Sequence, residues 1–378
     1  MSFEFPLLDY TPISLLFLIF LISSAFLLLY NLFFHWRLVF YKKKQSIEGK
    51  SPGISVIIAA RNEEDNLYNN LHSILNQKYP EFEVIVVNHQ SIDDTKHILG
   101  ALQNRYKNLR VIEVERNRHL KIGKKLPITL GIKGAKFQHL IFTDADCKPT
   151  SDQWLTLISN NFSDQKSIIL GYGPYRKNKG FLNSIIRFDT SLIAVNYFTF
   201  ALNGLAYMGV GRNLAYNKEI FKKVGGFKSH YGISSGDDDL FIRDAANRKN
   251  VSIEISPDSF CYSEPKTTWQ AWLRQKRRHY STSGQYKVIT KLLLGLLPLS
   301  VIMQLFSFVI LLWVGGFLFW ALLIYCTTTI LRWLSQSLNF QKLNSGALSW
   351  FYPVLEPIHI IVTALMFYSR GYQKDQWN

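Results

Sequence analysis

Cysteine is scarce in this chain of 378 residues: there are three, Cys147, Cys261 and Cys326, without the pair spacing of a disulfide framework or a zinc site. No Gly-x-Gly-x-x-Gly run occurs, which excludes a dinucleotide fingerprint. No Lys or Arg precedes Arg37. A cleaved leader needs a positive start and a short apolar core, so the long apolar run before Arg37 reads as an anchor instead. Internal repeats and low-complexity tracts are absent too. Two stretches, residues 11–34 and 292–331, lack charge altogether. About 20 apolar residues suffice to cross a bilayer as a helix. The second stretch is long enough for two crossings, with the bend expected at Gly315-Gly316. Residues 347–368 form a weaker fourth segment, since they carry Pro353, Glu356, Pro357 and His359.

Acid is the scarcer charge: 27 Asp and Glu stand against 43 Lys and Arg, a formal net charge of +16. Such a chain suits anionic lipid and anionic substrates. Nucleic acid is the other usual partner, but no nucleic-acid-reading motif is present. Glu4 and Asp9 precede the first apolar run, and Arg37 with Lys42-Lys43-Lys44 follow it. Cationic flanks stay on the cytoplasmic side, so the stretch from about 42 to 290 is expected there, in an integral protein of the inner or plasma membrane. The expected organisation is an anchor over 11–34, a cytoplasmic domain over 46–288, two membrane helices over 291–331 and a fourth membrane segment over 347–369.

Within the cytoplasmic part, β-rich runs at 54–60, 83–87, 110–114, 140–143 and 167–171 alternate with helical stretches at 64–77, 94–106, 125–136 and 152–161. Continuous Val/Ile runs between helices indicate an α/β, Rossmann-like domain with a mostly parallel sheet covered on both faces. Ligands bind beyond the carboxyl ends of such strands.

The residues there carry the chemistry. After the first strand comes Ala59-Ala60-Arg61-Asn62-Glu63-Glu64, which alone reads as an acidic helix start. After the second comes Asn88-His89-Gln90-Ser91-Ile92-Asp93-Asp94; its amide and carboxylates suit a uracil edge and ribose hydroxyls, or a helix cap. After the fourth, Asp144-Ala145-Asp146 offers two carboxylates to one hard divalent cation, Mg²⁺ or Mn²⁺. Lys124 and Lys125 stand at a helix start, where a cation is unfavourable unless it shares an anion with the exposed N–H groups. Gly209-Val210-Gly211-Arg212-Asn213 sets glycines beside an Arg and an Asn. Gly236-Asp237-Asp238-Asp239-Leu240 packs three acids, more than capping requires. Residues 269–280, WQAWLRQKRRHY, read as a basic, Trp-bearing amphipathic helix suited to a membrane surface.

Taken in order, these motifs resemble the family-2 inverting glycosyltransferases of the GT-A fold, over roughly residues 54–280. ISVIIAARNEEDNL looks like the opening strand and nucleotide loop, Asp144-Ala145-Asp146 like the metal motif, and Gly211-Arg212-Asn213 like the acceptor-side loop. Gly236-Asp237-Asp238-Asp239-Leu240 is similar to the base-bearing segment, with Gly236 in place of the usual Glu. Gln275-Lys276-Arg277-Arg278-His279 is similar to the Gln-x-x-Arg-Trp motif of membrane members such as ceramide glucosyltransferase and cellulose synthase, with His279 in place of Trp. Asn88 stands where the family usually has an Asp.

The resemblance implies nucleotide-sugar contacts at Ala60, Arg61, Glu63, Asn88, Asp93, Lys125, Asp144, Gln275 and Arg278. It implies a metal held by Asp144 and Asp146, and an acceptor side at Gly211, Arg212, Asn213 and His279. Asp237 or Asp238 is the expected base, according to register. The acceptor expected is a lipid or lipid-linked glycan, because the domain is tied to the bilayer at both ends. The rivals are a processive polysaccharide synthase and an inactive scaffold that keeps the fold. A transporter is disfavoured, since the clustered charges lie outside the apolar runs.

Overall fold

The structure is a computed structural model that describes residues 11–42, 51–117, 123–233 and 235–368. Glu4, Asp9, Lys43 and Lys44, and the domain limits set at 46 and 369, lie outside the described residues.

The chain begins with α1 (Pro12–Tyr30), which runs through a π-helical turn (Asn31–His35) into α2 (Trp36–Val39). Then follow β1 (Ile54–Ala60), α3 (Glu64–Leu75), β2 (Phe82–His89), α4 (Thr95–Arg105), β3 (Leu109–Val114), α5 (Lys125–Gly134) and β4 (His139–Asp144). This half closely follows the alternation expected from the sequence. After it come β5 (Cys147–Pro149), α6 (Trp154–Ser159), β6 (Ile168–Leu170), α7 (Phe181–Leu202), β7 (Leu214–Asn217) and α8 (Lys218–Lys223). The domain closes with α9 (Asp239–Ala245), β8 (Val251–Ile253), β9 (Cys261–Ser263) and α10 (Trp269–Tyr280). The remainder is helical: α11 (Val288–Val314), α12 (Leu318–Lys342), α13 (Gly346–Ser349) and α14 (Tyr352–Tyr368).

Seven strands form one mixed, mostly parallel sheet in the order β3-β2-β1-β4-β7-β6-β8. β1 is buried along its whole length, as a central strand covered on both faces must be. It pairs in parallel with β2 and β4, and the register sets Ala60 against Asn88 and Ala59 against Asp144. Three loops that carry chemistry therefore leave the sheet at one edge. β7 runs antiparallel to both neighbours, and β5 with β9 forms a small antiparallel ribbon beneath that edge.

Among the described residues, four helices are long and apolar enough to cross a membrane: Pro12–Val39, Phe181–Leu202, Val288–Val314 and Leu318–Lys342. The turn between the last two falls at Gly315, whose φ of +75° suits glycine, as the Gly-Gly pair suggested. α7 was not foreseen as an apolar helix. Most of it is buried, and Phe188, Val195, Phe198 and Phe200 join the main core.

Polar ties bind the first of these helices to the last, α12. Ser335 donates to Asn31 Oδ1 (2.5 Å), and Asn31 Nδ2 donates to the Leu331 carbonyl (3.2 Å). Asn339 Nδ2 donates to the His35 carbonyl (3.0 Å). Lys342 Nζ reaches the carbonyls of Leu38, Val39 and Tyr41 at 2.8, 2.7 and 3.0 Å. It thereby satisfies carbonyls that a helix leaves open at its carboxyl end.

Candidate functional site

At the carboxyl edge, β1 and β2 each lead into a left-handed residue, Asn62 (φ +53°) and Gln90 (φ +59°). Their loops are laced together. Asn62 N–H donates to Ser91 Oγ (2.9 Å), and Ile92 N–H donates to Asn62 Oδ1 (2.9 Å). Asp93 accepts from the Glu64 and Thr95 N–H groups, and Glu64 accepts from Asp94 N–H. Asn88 is buried, with Nδ2 on Glu113 (2.9 Å) and Oδ1 taking the Ser91 hydroxyl (2.5 Å). Both ends of its amide are thus engaged within the protein. Burial pushes the Glu63 carboxyl up to about 7, with Asp146 and Asp144 adding repulsion.

β4 delivers Asp144 as its last residue, and the turn carries Asp146 two places on. Asp144 Oδ1 receives Lys124 Nζ at 2.7 Å. Burial opposes the Asp144 charge, but Lys124 outweighs it and holds the carboxyl below its usual range. Burial likewise opposes the Lys124 charge, and Asp144 with Asp237 drives it above the usual lysine range. Asp146 Oδ2 accepts the Ser263 hydroxyl at 2.6 Å, from β9. The lysine beside the carboxylates is therefore Lys124. Lys125 turns inward and donates to the His230 and Ile233 carbonyls at 2.5 and 2.7 Å, and burial lowers it to about 8.

Across the site, Gly211 N–H donates to Asp238 Oδ2 (2.9 Å), while Asp238 Oδ1 accepts from Asp239 N–H (2.8 Å). Asp239 accepts from Leu240 N–H (2.7 Å), from Tyr286 (2.8 Å) and from the Thr282 hydroxyl. Asp237 receives no hydrogen bond among the described residues. Gly236, at φ +100°, lies against Leu240, whose side chain a Cβ would meet at 2.7 Å. A glutamate at this position would be strained.

Burial, then the neighbouring Asp237 and Asp239, raise the Asp238 carboxyl to about 7. The folded state thus keeps this proton between pH ~4 and ~7, where the unfolded chain has lost it. Stability contributed by the bound proton is lost as pH rises through that window. Asp238→Asn should remove this slope. Melting curves at pH 5 and 8 should shift by about 1–2 kcal/mol in the variant's favour at the higher pH, after allowance for partial exposure. An identical pH slope in both proteins would refute it.

α10 supplies the opposite wall. Trp272 is buried and anchors it. Gln275 Nε2 donates to the Tyr175 hydroxyl (3.0 Å), and the Arg212 guanidinium lies 4.1 Å over the Tyr175 ring. Asn213 is fully buried: its amide accepts from Trp154 Nε1 (3.1 Å) and donates to the Tyr172 and Ser259 carbonyls (2.9 and 2.8 Å). Asn213→Ala strands three buried polar groups and should lower stability by about 2–4 kcal/mol, read from denaturation midpoints. A loss below about 0.5 kcal/mol would contradict this structural role.

These elements enclose one chamber of about 760 Å³. Of the residues singled out from the sequence, Asp144, Asp146, Gly211, Arg212, Asp237, Asp238, Gln275, Arg278 and His279 line it. Ala60, Arg61, Glu63, Asn88, Asp93, Lys125 and Asn213 are not among its lining residues. Lys124, Tyr175 and Ser263 line it as well, and only Lys124 had a sequence signal, the helix-start conflict. The chamber continues past α10 to α11 and α14, where Leu297, Pro298, Ile360 and Phe367 line it.

The donor set at Asp144 and Asp146 is all oxygen, from two carboxylates two residues apart in one chamber, which fits a hard divalent cation completed by phosphate oxygens. Ser263 fixes one carboxylate and Lys124 the other, so both are oriented beforehand.

The sheet and its flanking helices define a GT-A-type glycosyltransferase fold. A mannosyltransferase from Pyrobaculum calidifontis, solved with GDP-Man and Mn²⁺, superposes with a TM-score of 0.58 at 16% identity, covering 96% of this chain and 99% of that one. Residues 55–225 match the sequence model for Glycosyl transferase family 2, so the chain carries a family 2 glycosyltransferase domain. A poly-beta-1,6-N-acetyl-D-glucosamine synthase of Staphylococcus epidermidis is 24% identical over 261 residues, which are 68% of this chain and 60% of that protein. The UDP-Glc:alpha-D-GlcNAc-diphosphoundecaprenol beta-1,3-glucosyltransferase WfaP of Escherichia coli is 33% identical over 132 residues, 34% of this chain and 48% of that one. The chain thus spans less than two thirds of either relative.

Proposed function

We propose that this protein is a membrane-anchored inverting glycosyltransferase that moves a sugar from a nucleoside-diphosphate sugar, UDP-linked, to a lipid or lipid-linked acceptor. The observation that carries the proposal is the single chamber in which Asp144 and Asp146 face Asp237 and Asp238 and whose wall runs on to apolar helices. The catalytic domain is the stretch from β1 to α10, held on the cytoplasmic side by the spans at either end.

Asp144 and Asp146 would hold Mg²⁺ or Mn²⁺, which supplies positive charge to the departing diphosphate. Lys124 and Arg278 add charge to the same end of the chamber, and Gln275, fixed by Tyr175, borders it. Asp237 takes the proton of the acceptor hydroxyl as that oxygen attacks the anomeric carbon from the face opposite the diphosphate. Gly211 orients Asp238 through its N–H, leaving Asp237 open to the acceptor.

A thermal-shift panel of UDP and GDP sugars with Mn²⁺ or Mg²⁺ tests the reading, since a true donor stabilises by mass action. No stabilisation by any sugar, with no nucleotide release, would leave only the scaffold. The Staphylococcus relative favours a second reading, a processive synthase. Product length on a denaturing gel separates the two.

Orientation is tested with Tyr68→Cys, at an exposed position of α3, in a Cys326→Ser background. It should resist an impermeant thiol reagent in intact cells and react after lysis. Ready labelling of intact cells would reverse the proposed topology.

A further inference from the structure

Two consecutive lysines open α5, and they reach different parts of the molecule. Lys124, at the cap position, pairs with Asp144. Lys125, the first residue of the helix, is buried and turns toward the segment that precedes the acid triplet. The catalytic mechanism above gives Lys125 no part, and it does not line the chamber. Its position is costly on two counts: a cation at a helix start opposes the helix dipole, and a buried ammonium has lost its water.

Both of its hydrogen-bond partners are main-chain carbonyls. Nζ donates to His230 at 2.5 Å and to Ile233 at 2.7 Å. The His230 carbonyl also accepts the Ile233 N–H at 3.1 Å, which closes a tight turn. Lys125 thus holds this turn at both ends. Burial opposes the Lys125 charge, and the carboxylates of Asp237, Asp239 and Asp238 favour it, Asp237 most.

Asp237 stands four positions after Ile233 and directly before Asp238. Asp238 is fixed by the N–H groups of Gly211 and Asp239. Asp237 is bonded to none of the described residues, so its place is set by the main chain on either side. Gly211 secures that chain after it, and Lys125 secures it before.

We propose that Lys125 is a positioning residue for the general base: by holding the His230 and Ile233 carbonyls, it fixes the segment from which Asp237 reaches the acceptor. This rests on the transferase reading and deepens it. Lys125 touches no reacting atom and acts only through Asp237. One helix start then serves both halves of the site, with Lys124 on Asp144 and Lys125 behind Asp237.

The test uses the full chain in nanodiscs. Hydrogen exchange reads the turn without any substrate. Lys125→Met keeps most of the side-chain length and removes the donors. Peptides spanning 227–233 should then exchange about tenfold faster, with β1 and β4 unchanged. Lys125→Arg, which keeps the charge and N–H donors, should restore most of the protection. Should Lys125→Met yield no folded protein, Lys125→Gln, shorter and uncharged, carries the same expectation. Unchanged exchange at 227–233 overturns the inference.

Turnover is read as UDP release from the UDP-sugar that stabilises the protein most, with Mn²⁺. Lys125→Met should lower kcat about 30- to 100-fold, the cost of a misplaced catalytic group, with the donor KM within about twofold of the parent. Lys125→Arg should recover most of that loss. In an Asp237→Asn background the same Met substitution should cost less than about threefold, because an absent base cannot be misplaced. Losses that multiply in full, or a donor KM that rises as kcat falls, reduce Lys125 to a structural residue and overturn the inference. Absence of donor stabilisation in the thermal-shift panel defeats the transferase reading instead, so the two failures are distinguishable.

Discussion

Asp237→Asn should lower turnover by roughly 10²–10⁴-fold, the usual worth of a general base, while donor affinity barely changes. The structure separates the three adjacent acids by what they already hold. Asp239 takes a backbone N–H and two hydroxyls, and Asp238 takes two backbone N–H groups. Asp237 lines the chamber and is bonded to none of the described residues, so it remains available for a substrate proton. Asn keeps the size and loses only the basicity. Donor binding and turnover of the Asn variants at 237, 238 and 239 decide the matter. Near-parental turnover at 237 with loss at 238 moves the base by one residue. Activity in all three removes the base from this cluster.

The second large effect belongs to Asp146. Asp146→Ala should abolish metal-dependent binding of the nucleoside diphosphate, a loss of about 100-fold or more. Ser263→Ala, which releases one Asp146 oxygen from its hydroxyl partner, should weaken it by about tenfold. Calorimetric titration with and without chelator reads both. Equal affinity in parent and Asp146→Ala, unaffected by chelator, would remove the metal from this site.

Much of this molecule was legible because its first half is written in continuous apolar strands. Residues 54–60 leave no choice but a buried central strand, and the loops that follow such strands are where the chemistry lies. The Asp-x-Asp motif could be placed for that reason, and the acid triplet by its crowding of three carboxylates before a helix. What escaped depends on contacts between residues distant in the chain. β7 is only four residues long and exists because β4 and β6 flank it. α7 mixes polar and apolar residues in a way that fits neither a clean span nor a surface helix, and its Asp189 gains meaning only through Lys276 and His359. The choice between Lys124 and Lys125 turns on a helix start whose rotation the sequence does not state. Asn213, read as acceptor-side beside Arg212, faces the other way and bonds to Trp154.

The tie between the first apolar helix and α12 also bears on how the protein is made. Asn31 and His35 are made early in synthesis, but Leu331, Ser335, Asn339 and Lys342 are some 300 residues later in the chain. On the membrane-anchored reading proposed above, the carbonyls of His35, Leu38, Val39 and Tyr41 wait for their α12 donors in a medium that offers little water. A product cut short before Leu331 would leave those carbonyls without these donors even when its catalytic domain has folded.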